Sequence, residues 1–137
     1  MGSRRRAREL ALPLLSQHER TETPPEQMQE TLEDWKNATD GIRQFADVLI
    51  RGTLAHLEEL DEALATQTAH WRLERRAAVD RHILRLAMYE LLFHADIPHA
   101  VVIDEAIEIA KKYGASESAR FVNGVLDGFV KRRTKVG

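Results

Sequence analysis

Between Val79 and Leu92 the apolar residues Val79, Ile83, Leu84, Leu86, Ala87, Leu91 and Leu92 cover more than half of a helical circumference. Only a helix packed on most of its sides can bury such a surface. A chain with this segment must wrap other helices around it, and the remaining sequence offers them. With 7 Gly and 4 Pro in 137 residues, and Ala, Leu, Glu and Arg abundant, there is little punctuation for many short strands. A hydrophobic content of 43% is enough for the core of one domain of ordinary size or of two intimate halves.

Ahead of this segment, Ala7, Leu10, Ala11, Leu14 and Leu15 recur at helical spacing from Arg4 to Glu19 and leave Arg4, Arg5 and Arg8 largely outside the apolar stripe. Pro13 lies within that run, where the missing amide and the crowded carbonyl of Glu9 predict a kink or an early end. Thr23-Pro24-Pro25-Glu26 reads as a capping box that opens a second helix, with Met28, Leu32 and Trp35 as its stripe and Asn37 to Gly41 as its stop. Ile42, Phe45, Ala46, Leu49, Ile50, Leu54, Leu57 and Leu64 then form one long helix or two consecutive ones, with Gly52 weakening the middle and Asp61 marking a break.

Beyond Leu92, Ile97-Pro98 restarts the chain into Val101, Val102, Ala106, Ile109, Ala110 and Tyr113, and Gly114 follows Lys111 and Lys112 as a stop. Ser116 or Ser118 caps a last helix through Phe121, Val122, Val125, Leu126, Phe129 and Val130. Its spacing places Asn123-Gly124 inside a helix and not in a hairpin turn. The prediction is an all-α chain of six or seven helices within a single domain, residues 1–137. Its halves cover about 4–66 and 72–133, joined by a polar connection near Ala65 to Arg72.

The net charge of −2 conceals segments of opposite sign. Residues 1–20 carry +3, residues 21–70 carry −8 and residues 119–137 carry +4. Fifteen of the twenty basic residues are Arg, whose planar fork suits phosphates and base edges. Two cationic ends therefore suggest a polyanion site, provided the fold brings them together.

Other chemistry is scarce. The absence of cysteine excludes disulfides, thiolate metal sites and a Cys nucleophile, and it fits a reducing, cytoplasmic setting. No apolar run approaches the ~20 residues of a membrane span. His18, His56, His70, His82, His94 and His99 include no i, i+4 pair and no HExxH, so no metal site is expected; His94 and His99 flank the Ile97-Pro98 turn as loop residues. Ser3, Ser16, Ser116 and Ser118 lie in no nucleophile elbow, no glycine loop cradles phosphate, and adjacent acids such as Glu58-Glu59 point apart on a helix. Neither a cofactor nor an enzymatic activity is expected.

Some residues admit two readings. The run Arg4-Arg5-Arg6 with Arg8 is a nucleic-acid contact, a basic tail, or a helix face balancing nearby acids. Phe121 is spaced as core with Val125 and Phe129, yet it opens a cationic helix where a ring could stack on an unpaired base. Gly124 and Gly128 read as a close helix–helix approach. Asp80, Arg81, Tyr89 and Glu90, polar groups on the most apolar helix, either satisfy one another internally or face a partner protein.

Four blocks carry a family resemblance: Arg4 to Ala11 (RRRARELA), Asp80 to Leu92 (DRHILRLAMYELL), Glu105 to Gly114 (EAIEIAKKYG) and Phe121 to Asp127 (FVNGVLD), the last being the most specific. In order and spacing they resemble the NusB family of transcription antitermination factors. The resemblance implies two packed three-helix bundles and a non-enzymatic adapter that pairs with the small-subunit ribosomal protein NusE. The pair would bind single-stranded boxA RNA in ribosomal operon leaders, within an RNA polymerase antitermination complex. It also implies that some members form homodimers that hide the RNA surface.

By position the resemblance assigns RNA binding to Arg4, Arg5, Arg6 and Arg8, and to the turn residues Tyr113, Glu117, Ser118, Arg120 and Phe121. The protein-partner face falls near Asp80 and Tyr89. Pro13 and Ser16 depart from the family pattern of a non-proline residue followed by an aromatic, and Asp104 replaces a common Asn. Two alternatives are a NusB-like domain of an RNA methyltransferase, disfavoured by the lack of a glycine-rich cofactor loop, and a protein-binding helical homodimer.

Overall fold

The computed structural model describes residues 2–68 and 77–136. Among them are eight helices and no strand: α1 Gly2–Thr21, α2 Pro25–Thr31, α3 Glu33–Lys36, α4 Asp40–Ala55, α5 Leu57–Ala65, α6 Ala78–Phe93, α7 His99–Tyr113 and α8 Ser118–Val136. The all-α expectation holds. The helix beyond the expected seven is α3, separated from α2 where Leu32 takes an extended backbone at φ −89° and ψ 113°. Most of the polar connection, with His70 and Arg72, lies outside the described residues.

The chain divides into two compact units, Met1–Ala55 and His56–Gly137. In the first, α1 packs along α4 and also touches α2. The helix runs through Pro13 without ending there, because Pro13 is on the exposed side while Ala7, Leu10, Ala11, Leu12, Leu14 and Leu15 are buried. It ends at Glu22, whose φ of 57° turns the backbone left-handed, and the Glu22 N–H closes on the His18 carbonyl at 2.8 Å.

The expected capping box at Thr23 does not form. Pro24 is the N-cap, with no side-chain cap, and the Glu26 N–H that Thr23 was expected to serve meets the Glu26 carboxylate instead. Thr23 bonds instead to the Thr21 hydroxyl at 2.7 Å. The expected stop at Asn37 to Gly41 is shorter than predicted, since α4 already begins at Asp40. There Thr39 Oγ1 accepts the Ile42 N–H at 3.3 Å, and Arg43 donates to the carbonyls of Trp35, Lys36 and Ala38 at the end of α3.

In the second unit α6 is the central helix, packed by α5, α7 and α8, as its apolar circumference requires. The long segment 42–64 breaks at His56 (φ −123°, ψ 24°), not at Gly52 or Asp61. Asp61 serves otherwise. Its carboxylate accepts from Arg85 Nε at 2.9 Å and Nη2 at 3.0 Å, tying α5 to α6. Although the sequence reading grouped residues 57–65 with the N-terminal half, α5 packs on α6 and α8. Asn123 and Gly124 lie within α8. A Cβ at Gly124 would meet nothing within 4 Å, while one at Gly128 would meet Gln67 Oε1 at 2.8 Å. Of this pair only Gly128 makes a close approach, and it does so to a side chain and not to a helix.

Candidate nucleic-acid interface

The arginine run forms the first turns of α1. Arg4 and Arg6 are exposed and Arg5 is half-buried, but Arg8 is only 4% exposed. The expectation that Arg8 lies outside the buried stripe is therefore corrected. Leu12 and Leu15, one and two turns further on, are buried as well, so the face packed in this unit is wider than the sequence stripe and includes position 8. The guanidinium carbons of Arg4 and Arg8 stand 4.9 Å and 5.7 Å from the centroid of the Phe45 ring on α4. Both distances fit a cation resting on an aromatic face.

In the second unit the residues singled out between α7 and α8 share one tight turn. Gly114 ends α7 with φ −93° and ψ −177°, which is extended backbone and not the left-handed stop expected of a terminal glycine. Its small size is needed for another reason. A Cβ at Gly114 would stand 2.5 Å from Ser118 Cβ and Oγ and 2.8 Å from the Ala110 carbonyl oxygen. Ser118 is buried, and its Oγ accepts the Ala115 N–H at 2.9 Å while its own N–H donates to the Ala115 carbonyl at 3.0 Å. Ser118 thus holds the turn together from within. Tyr113 is 45% exposed, with Lys112 Nζ 5.2 Å from its ring centroid; Glu117 and Arg120 are exposed and Phe121 is half-buried. The surface of the turn presents the Tyr113 ring with two cations, Lys112 and Arg120, beside an acid.

The basic end of α8 is less available than its charge suggests. Lys131 pairs with Asp127 at 2.9 Å, Arg132 donates to the Thr66 carbonyl at 3.2 Å, and Arg133 lies 5.5 Å from the Phe129 ring centroid. Arg120 is an exposed cation beside the turn, as are Lys111 and Lys112 at the end of α7.

The residues carried over to a protein-partner face both lie inside the second unit. Asp80, in the first turn of α6, is 2% exposed, and Tyr89 is 9% exposed. Burial pushes the Tyr89 phenol above its ordinary value, and the nearby Glu90 charge adds to the shift. Around Tyr89 the rings of Phe93 and His94 lie at 5.4 Å and 5.1 Å, and His56 stacks on Phe93 at 4.2 Å. Phe93, 41% exposed, is the ring of this cluster that meets solvent most. Among the described residues no group of three or more His, Asp or Glu is placed to hold a metal, and no helix is long and apolar enough to cross a membrane.

The sequence model of the NusB family matches residues 5–131. The chain belongs to the NusB family. Transcription antitermination protein NusB of Desulfitobacterium hafniense is 46% identical over 136 residues, covering 97% of this chain and 91% of that protein. The protein of the same name from Geobacter sulfurreducens is 45% identical over 128 residues, 93% of each chain. Among solved structures, NusB of T. maritima superposes with a TM-score of 0.83 at 44% identity, covering 93% of this chain and 90% of that one. The crystal structure of the antitermination factors NusB and NusE in complex with dsRNA has a TM-score of 0.84 at 27% identity, covering 96% and 98%.

Within this NusB-family fold the structure gathers Arg4 and Arg8 on one ring, and it gathers Tyr113, Glu117, Ser118, Arg120 and Phe121 on one turn. Sequence reasoning missed Phe45 and Phe93, both of which it counted as core or left unmentioned. Phe45 falls on the apolar stripe of its helix, so periodicity alone could not separate a buried ring from one that supports cations. Phe93 ends an apolar helix, and its position carried no separate signal.

Proposed function

We propose that the chain is a transcription antitermination factor, a non-enzymatic RNA-binding adapter that pairs with the ribosomal protein NusE and binds boxA RNA in ribosomal operon leaders within the RNA polymerase antitermination complex. The setting of that work is the cytoplasm. The observation that carries the reading is the shared fold with a NusB that is solved together with NusE and RNA, over nearly the whole length of both chains. The exposed guanidinium groups of Arg4 and Arg6 supply phosphate contacts, with the half-buried Arg5 beside them. Tyr113, and the part of Phe121 that meets solvent, supply ring faces for unpaired bases, beside Arg120. Ser118 and Arg8, both buried, act by holding these groups in place. The partner protein meets the second unit near Asp80 and Tyr89, through the surface around them.

The test is a titration of the NusE complex with boxA RNA, a scrambled single strand and a duplex at fixed salt, for the wild type and for Arg5→Ala/Arg6→Ala. The double variant should bind boxA more weakly. The slope of log affinity against log salt should become shallower by about one for each lost phosphate contact. Undiminished boxA binding would sink the N-terminal site. Equal binding of boxA and scrambled RNA would sink the sequence-specific reading. Light scattering of the free protein, with and without NusE, decides whether a homodimer competes with the complex.

A further inference from the structure

We infer that Phe45 is a positioning residue for RNA recognition: its ring, shared with the buried Arg8, orients the guanidinium of Arg4 toward a phosphate. The inference rests on the RNA-binding reading above. It starts from two arginines one helical turn apart on α1 that share one ring on α4, with guanidinium carbons at 4.9 Å and 5.7 Å from its centroid. The face of the ring attracts both cations and fixes where the outer one sits.

Burial separates the roles of the two arginines. Arg8 is enclosed and cannot reach out to a nucleic-acid backbone without leaving its site, whereas Arg4 is exposed. Free arginine side chains lose rotamer entropy when they grip a phosphate. A guanidinium already held over a ring has lost much of that freedom before RNA arrives, and its N–H groups remain able to donate to a phosphate. Phe45 is therefore more than core: α4 contributes to the RNA surface through it without touching RNA.

The experiment compares the wild type with Phe45→Leu, Phe45→Trp, Arg4→Ala and the Phe45→Leu/Arg4→Ala double variant. In the free protein, side-chain NMR should show upfield ring-current shifts for the Arg4 δ protons, lost in Phe45→Leu and kept in Phe45→Trp. In the presence of NusE, boxA RNA affinity should fall about 2- to 5-fold in Phe45→Leu and be restored in Phe45→Trp. In the double variant the two losses should not add. Circular dichroism sets a temperature at which every variant is folded, so that loss of fold does not pass for loss of affinity. The inference is overturned by an unshifted Arg4 in the wild type, by wild-type affinity in folded Phe45→Leu, or by strictly additive losses. If the wild type itself binds no boxA RNA, the RNA-binding reading falls and takes this one with it; that result comes from the wild-type titration alone.

Discussion

Gly114 and Ser118 stand so close that a single methyl group on the glycine would come within 2.5 Å of both Cβ and Oγ of the serine. The contact is made where α7 hands over to α8, and the Ser118 hydroxyl is already committed to the Ala115 N–H. Gly114→Ala should therefore destabilise the fold by about 1–3 kcal/mol, the range for forcing extra atoms into a packed site. Ser118→Ala keeps the Cβ and loses only the hydrogen bond, at about 1 kcal/mol. Urea denaturation followed by far-UV circular dichroism gives both numbers; Gly114→Ala with wild-type stability would contradict the described turn.

Asp61 and Arg85 form a two-pronged ion pair with Arg85 well covered. Bidentate geometry and partial burial should give a coupling energy of about 1 kcal/mol in a double-mutant cycle of Asp61→Ala and Arg85→Ala. The coupling should shrink little between low and moderate salt. A coupling near zero would mean that α5 is held on α6 by apolar contacts alone.

The raised ionisation of Tyr89 makes stability depend on alkaline pH. The folded state holds the phenolic proton more tightly than the unfolded chain does. Tyr89 thus contributes stability that is fully present below the ordinary value of 10.0 and is lost as pH rises through the higher folded value. Tyr89→Phe should flatten the fall in stability above pH 10.0, relative to its own value at neutral pH. Denaturant midpoints measured across that range supply the check, and an unchanged alkaline slope would count against the burial of the hydroxyl.

Asp80 is buried in the first turn of α6. Asp80→Arg places a long cation where the helix dipole favours an anion and where there is no room for solvent, at a cost of about 3 kcal/mol or more. Thermal melts should show this loss without any partner present. If the variant melts like the wild type, Asp80 is not enclosed as described.

How much of this was legible in the residues differs from element to element. The circumference of α6 was readable because a helix buried on most sides leaves no alternation to mistake, and the spacing of Phe121, Val125 and Phe129 put Asn123-Gly124 in a helix by the same logic. Thr23-Pro24-Pro25-Glu26 misleads because a cap pattern counts side chains, while the helix starts one residue later, with Pro24 as its N-cap and the Thr23 hydroxyl bonded to Thr21. Arg8 escapes the spacing because the packed face is wider than the stripe of apolar residues, and an arginine can bury its stem with its guanidinium near a ring. His56 carried no break signal, since histidine neither starts nor stops helices by propensity. Ring contacts with Phe93 accompany the break there, and these link residues far apart in the chain. Charge marks the arginine turn, and Phe121 in a cationic helix marks part of the α7–α8 turn; the family resemblance supplies the remaining turn residues. Their internal geometry, a cation pair on one ring and a glycine pressed against a serine, depends on tertiary packing that no local pattern records.

Pro13 shows how a helix of 20 residues can do without one rung of its ladder. The missing amide falls on the side that water reaches, so solvent can serve what the backbone does not. The buried side runs past that gap, from Ala7, Leu10, Ala11 and Leu12 ahead of it to Leu14 and Leu15 behind it. The grip is held from both sides of the seam, so the arginine turns ride on an anchored helix and not on a loose end.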